Sequence, residues 1–118
     1  MPNKLQNYQN RKKVKVTVHA RSRLSTRCSQ FQPNDYVSIA TAARYNGKTI
    51  PNLPIKQARW VAKHFCYKFN TSQIRVYKNV VFIFAGSHSR TLITVYRLPN
   101  WLVEGDNNVD SKRNGDDN

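Results

Sequence analysis

The sequence predicts an α+β domain: a short N-terminal strand and about three helices packed on a C-terminal antiparallel β-meander. Three observations point there. From about His19 to Phe69 the apolar residues recur at helical spacing. Beyond Asn70 the period becomes two-fold, the signature of strands. The chain is 118 residues long with five Phe, six Tyr and two Trp, enough bulk for one modest core. No stretch approaches the roughly 18 apolar residues of a membrane span. The basic start lacks the apolar segment of a secretory signal.

Residues 1–13 are polar and close on Arg11-Lys12-Lys13, which reads as a basic flexible arm. Residues 14–103 form the expected single domain. Val14-Lys15-Val16-Thr17-Val18 alternates apolar and polar and predicts a short strand. A helix then runs to about Cys28, with Ala20, Leu24 and Cys28 as its apolar stripe, and Ser29 to Pro33 breaks it. Asn34 or Asp35 can cap a second helix, Tyr36 to about Tyr45, which buries Val37, Ile39, Ala40 and Ala43 and stops at Asn46-Gly47. Lys48 to Pro54 reads as a loop. A third helix is expected from Ile55 to about Phe69, with Ala58, Val61, Ala62, Phe65 and Phe69 inward and a basic exterior. The meander follows: Gln73 to Tyr77, a tight turn at Lys78-Asn79, a central strand from Val80 to Ala85, and a last strand from Arg90 to Leu98. On that last strand strict alternation groups Leu92, Thr94, Tyr96 and Leu98 on one face, with Ile93, Val95 and Arg97 on the other. From Glu104 on there is little to bury, so residues 104–118 read as a disordered acidic tail.

Charge narrows the function. Through Val103 there are eighteen Lys and Arg against one carboxylate, Asp35, a net +17; the tail carries −3, leaving +14 for the chain. The basic residues are spread along the domain, so the folded surface must be positive and draw polyanions. Nucleic acid is the first expectation; an anionic membrane or an acidic protein comes second. One carboxylate cannot supply a two-metal nuclease or a glycosidase pair, and no Gly-rich phosphate loop is present. Chemistry in this domain would therefore run without metal or cofactor, on His, Arg, Lys, Thr, Ser or Tyr. Cys28 and Cys66 make neither a disulfide framework nor a C-x-x-C pair, which predicts reduced thiols in a cytoplasmic protein.

The first helix carries the strongest local signal. His19, Arg23 and Arg27 recur every four residues and share a face, an imidazole beside two guanidiniums. No Asp or Glu lies within a turn to neutralise them. Alone, His19 reads first as a hydrogen-bonded structural residue, and Thr94 with Tyr96, about 6–7 Å apart along a strand, first as plain β-favouring sequence.

The pattern His19-Ala20-x-x-Arg23-x-x-x-Arg27, followed by helices and a meander ending in Leu92-Ile93-Thr94-Val95-Tyr96, resembles the compact bacterial endoribonuclease toxins of the colicin/RelE-type (BECR) fold. It is most similar to small, often phage-borne members with a His-Ala-x-x-Arg helix and a terminal Thr-Val-Tyr strand. The resemblance covers roughly residues 14–99 and implies metal-independent RNA cleavage. It implies His19 as general base or acid, and Arg23 and Arg27 as clamps on the scissile phosphate. Thr94 would hydrogen-bond the phosphate, and Tyr96 would orient substrate or serve as the second proton-transfer group. The 2′-OH would be the nucleophile, so DNA should resist. Such proteins also imply an acidic antitoxin or immunity protein as partner.

Arg21, Lys56, Arg59, Lys63, Arg90 and Arg97 are the further phosphate-contact candidates, and His88 a second proton donor in the last loop. Trp60 and Trp101 could stack bases, although a core or lid role suits both. The alternative to an enzyme is a non-catalytic nucleic-acid-binding module or a basic phage accessory protein. The acidic tail reads either as a solubility tail or as a competitor for the basic surface.

Overall fold

The computed structural model describes residues 12–86 and 90–103. Most of the basic arm, His88 and the acidic tail lie outside that range. The described elements run in the order β1 (Lys15–Val16), α1 (Val18–Arg27), α2 (Tyr36–Asn46), α3 (Ile55–Phe65), β2 (Ile74–Tyr77), β3 (Val80–Phe84) and β4 (Thr91–Arg97), with single 3-10 turns at Pro33–Asp35, Ile50–Asn52, Thr71–Gln73 and Asn100–Leu102. The fold is α+β, with three helices and one four-stranded sheet in the order β1-β4-β3-β2.

The sheet is mixed, which corrects the purely antiparallel expectation. β2, β3 and β4 form the antiparallel meander, but β1 joins β4 in parallel. β1 is only two residues long because Thr17 leaves the strand to cap α1, its hydroxyl accepting from the Ala20 amide at 3.0 Å. The chain then continues as α1 alongside β4, so the outer edge of β4 is paired only near Thr91 and Leu92. At the meander's first turn, Lys78 and Asn79 both take positive φ, 51° and 64°, the pair of left-handed residues that a two-residue hairpin demands.

Both faces of the sheet are covered, and each strand divides its side chains between two clusters. On one face α1 and α2 bring Ala20, Leu24, Cys28, Tyr36 and Ala40 against Phe82, Phe84 and Val95. On the other α3 and the segment after β4 bring Val61, Phe65, Leu98 and Leu102 against Val81 and Ile83. The apolar run Val80–Phe84 is therefore buried throughout, as a central strand should be. Two buried polar residues tie these layers. Thr41 Oγ1 accepts from the Val14 amide at 2.9 Å while donating to the Val37 carbonyl, and Gln57 Nε2 donates to the Leu102 carbonyl at 2.7 Å. Both sit where the sequence placed no core residue; Val37, Ile39, Ala58 and Ala62 are only half-buried.

Two further expectations change. α3 ends at Phe65 rather than near Phe69, and the Lys68 and Phe69 amides close a terminal turn on the Phe65 carbonyl. On β4 the register slips between Ile83 and Phe84: Thr94 faces Ile83, Leu92 faces Phe84, and Ile93 is the extra residue. The slip exchanges two residues of the predicted grouping, Leu92 and Ile93. Leu92 joins Val95 on the α1 side, whereas Ile93 joins Tyr96 and Leu98 on the α3 side.

Cys28 is fully buried and Cys66 half-buried, both free thiols. Burial pushes the Cys28 thiol up from 9.0 to about 11, against the pull of the Arg97 and Arg27 guanidiniums. Because the folded value is the higher one, this stabilisation is full below about pH 9 and is lost as pH rises through about 11. A thiol reagent at pH 8 is therefore expected to label Cys66 quickly and Cys28 only when the domain opens, as read by mass spectrometry of the two peptides.

Candidate nucleic-acid interface at the α1–β4 seam

α1 has no acidic residue in its first turn and ends on Arg27, so apart from the exposed Val18 at its start its outer side is basic or polar. His19 is exposed, Arg23 half-buried, and Arg23 Nε donates a long hydrogen bond, 3.4 Å, to His19 Nε2. An accepting Nε2 places the proton of the neutral ring on Nδ1. The i,i+4 spacing thus produces a real contact between imidazole and guanidinium.

Arg27 joins the two halves of the predicted site. Its Nη1 donates to the Val95 carbonyl at 2.9 Å, and its guanidinium carbon lies 4.5 Å from the centroid of the Tyr96 ring. The reason is local. β1 stops at Val16, so the C-terminal half of β4 is paired with β3 on one side only, and a part-buried carbonyl on its outer edge needs a donor. Tyr96 is held between this guanidinium and Phe65, whose ring centroid is 4.8 Å away. A planar cation over a phenol face is the arrangement that the ring quadrupole favours.

Thr94 is placed differently from its expected role. It is 6% exposed, and its hydroxyl is buried without a hydrogen-bond partner. Strand alternation put Thr94 and Tyr96 on one face correctly, but α3 covers that face. The hydroxyl is therefore shut away from a phosphate arriving in solvent. An unpaired buried hydroxyl costs about 1–3 kcal/mol relative to a paired one. Thr94→Val, which keeps the shape and removes the polar atom, is expected to melt at the same temperature or a few degrees higher. It should also leave any RNA cleavage unchanged; a tenfold or greater loss of cleavage in a folded variant would return Thr94 to the site.

The remaining candidates divide between the two sides of the sheet. Arg21 is exposed on α1, its guanidinium 5.5 Å over the Tyr36 ring. Lys56, Arg59 and Lys63 are exposed on α3, which covers the opposite face, and Arg90 is exposed just before β4. Arg97, also exposed, stands beside Tyr96 at the end of the strand. There it borders a groove of about 330 Å³ whose walls include Trp60, His64, Tyr67, Lys68 and Tyr96. The sequence reading missed Tyr67 and Lys68 and gave His64 no role. The i,i+4 spacing of Trp60 and His64 was the available signal. Their rings stack at 4.3 Å with 27° between planes, and His64 Nδ1 lies 2.8 Å from the Trp60 carbonyl.

Among the described residues no three His, Cys, Asp or Glu side chains gather as metal ligands, and no helix is long and apolar enough to cross a membrane. No protein-family model, curated protein or solved structure matches the chain.

Proposed function

We propose that the protein binds RNA and cleaves it without a metal at the seam where α1 runs beside β4. The contact of Arg27 with Val95 and Tyr96 supports this reading most directly, because it sets the His19, Arg23 and Arg27 stripe and Tyr96 along one border. The resemblance of those two sequence segments to the colicin/RelE-type endoribonuclease toxins supplies the reaction class. The net charge of +14 supplies the attraction.

In this mechanism a phosphate oxygen takes Arg23 from His19, which frees His19 Nε2 to accept the 2′-OH proton. The 2′ oxygen attacks phosphorus and the bond to the 5′ oxygen breaks. Arg23 carries the charge that builds on the non-bridging oxygens. The leaving 5′ oxygen takes a proton from water, and the proton on His19 passes to the hydroxide so formed; Tyr96, about two helical turns away beside Arg27, orients the strand. The products are a 2′,3′-cyclic phosphate and a 5′-hydroxyl. Incubation of the purified protein with total RNA in EDTA, followed by mapping of the ends, tests it. Cyclic-phosphate ends on RNA and intact DNA support the proposal, and intact RNA overturns it.

Binding without scission is the second reading. It is favoured by Thr94, whose hydroxyl is closed off, and by Tyr96, already engaged by Arg27 and Phe65. It predicts salt-sensitive binding of RNA and DNA alike with no new ends. In either case an acidic inhibitor protein would have a basic surface to dock on.

A further inference from the structure

Beyond the seam, on the far side of Tyr96, lies a surface that phosphate contacts alone do not explain. Six of the residues around the groove carry aromatic or imidazole rings, Trp60, His64, Phe65, Tyr67, Phe69 and Tyr96, and its cations are Lys68 and Arg97. Tyr67 is 82% exposed at the groove's edge, so its ring is open to an incoming partner. Trp60 is half-buried, set edge-on against Phe65 at 5.7 Å and face-on to His64, so its position is fixed by packing. Nδ1 of His64 donates to the Trp60 carbonyl, so in the neutral ring Nε2 is the acceptor, on an exposed side chain. The groove's volume, about 330 Å³, falls at the small end of the range for small-ligand pockets, roughly 300–1,000 Å³.

We propose that this groove is a base-stacking subsite for single-stranded RNA: an unpaired base inserts between Tyr67 and the Trp60–His64 stack while Lys68 and Arg97 hold its flanking phosphates. This rests on the reading of the protein as RNA-binding and narrows its substrate to unpaired RNA. Three features favour such an occupant over a duplex. Every base has a π-face that an aromatic platform can take, but in a duplex both faces are already covered by neighbours. Both cations are exposed, so a backbone leaving the pocket can reach them. Tyr96 lies on this groove with one neighbour, Phe65, and on the α1 seam with another, Arg27, so a strand seated here is led toward His19 and Arg23.

The test uses a short 2′-O-methyl oligouridylate, which is single-stranded and lacks the free 2′-OH needed for cleavage, and a duplex of equal length. Binding is measured across salt concentrations for the full chain, Tyr67→Ala and Lys68→Gln. Stacking is worth about 1–3 kcal/mol per base, so Tyr67→Ala should weaken single-strand binding roughly tenfold at every salt concentration and leave the salt slope unchanged. Lys68→Gln should instead flatten that slope by about 0.7, the loss of one phosphate contact. Binding should quench tryptophan fluorescence in the full chain and quench it less in Trp60→Phe, a variant that keeps the ring against Phe65. Tyr67→Ala binding as tightly as the full chain, or duplex binding as tight as single strand, overturns the subsite and leaves RNA binding standing. If the full chain binds neither probe, the RNA-binding reading falls and the subsite with it.

Discussion

His19→Ala combined with Arg23→Ala is expected to abolish RNA cleavage while leaving a folded, RNA-binding protein. Loss of a positioned general base costs typically 10²–10⁴ in rate, and loss of one charged donor at a developing oxyanion costs about 10²–10³. The two act on the same step and touch each other at 3.4 Å, so the double variant should fall little further than the worse single one. Neither side chain supports the core: His19 is exposed, and α1 is anchored instead by Ala20, Leu24 and the Thr17 cap. Melting temperature should therefore move by no more than a degree or two. RNA affinity at moderate salt should fall only by the share of one phosphate contact. Initial cleavage rates in EDTA, with a binding titration on uncleavable RNA, separate these quantities. A double variant that cuts at the rate of the full chain removes the α1 site from consideration. One that loses binding and cleavage in equal proportion leaves α1 only the holding of phosphate and moves the proton transfer to other residues.

Much of the fold was legible because most of its information is local. The change of period near Asn70, the Lys78-Asn79 turn and the five-residue apolar run at Val80 each have a short-range physical cause, and each element appears where it was expected. What was illegible is non-local. Nothing in Lys15-Val16 names β4 as its partner or sets the direction as parallel, because a two-residue strand carries almost no register information. The bulge at Ile93 is likewise invisible, since Thr91 to Arg97 alternates without a glycine or a break, yet it reverses which face takes Leu92.

The candidate site divides along the same line. The His19–Arg23 contact is a helical neighbour pair and could be read from spacing alone. The Arg27–Tyr96 contact joins residues far apart in the chain, and only the family resemblance put both in one site; their own local sequence names no such partner. Thr94 went unread because alternation says which residues share a face and never whether a helix lies over it.

Phe82→Ala is the substitution with the largest expected effect on stability. Phe82 is fully buried on β3, the strand between β2 and β4, and sits opposite Val95, whose carbonyl takes the Arg27 hydrogen bond. Truncating a buried Phe costs about 3–5 kcal/mol through lost transfer energy and the cavity left behind. Collapse is hindered here because both faces of the sheet are already held by helices. Against a typical domain stability of about 5–15 kcal/mol, the variant should lose a large share of its margin. Urea unfolding should show the midpoint falling sharply with the slope unchanged. Phe69→Ala, at a half-buried position after α3, should lose visibly less. Phe82→Leu should recover most of the loss, since it restores volume without a polar atom. If Phe82→Ala costs less than about 1.5 kcal/mol, the face of the sheet under α1 and α2 is not packed as described. The same result would undermine the seam, because Val95 holds Arg27 in place only while β3 and β4 stay in register.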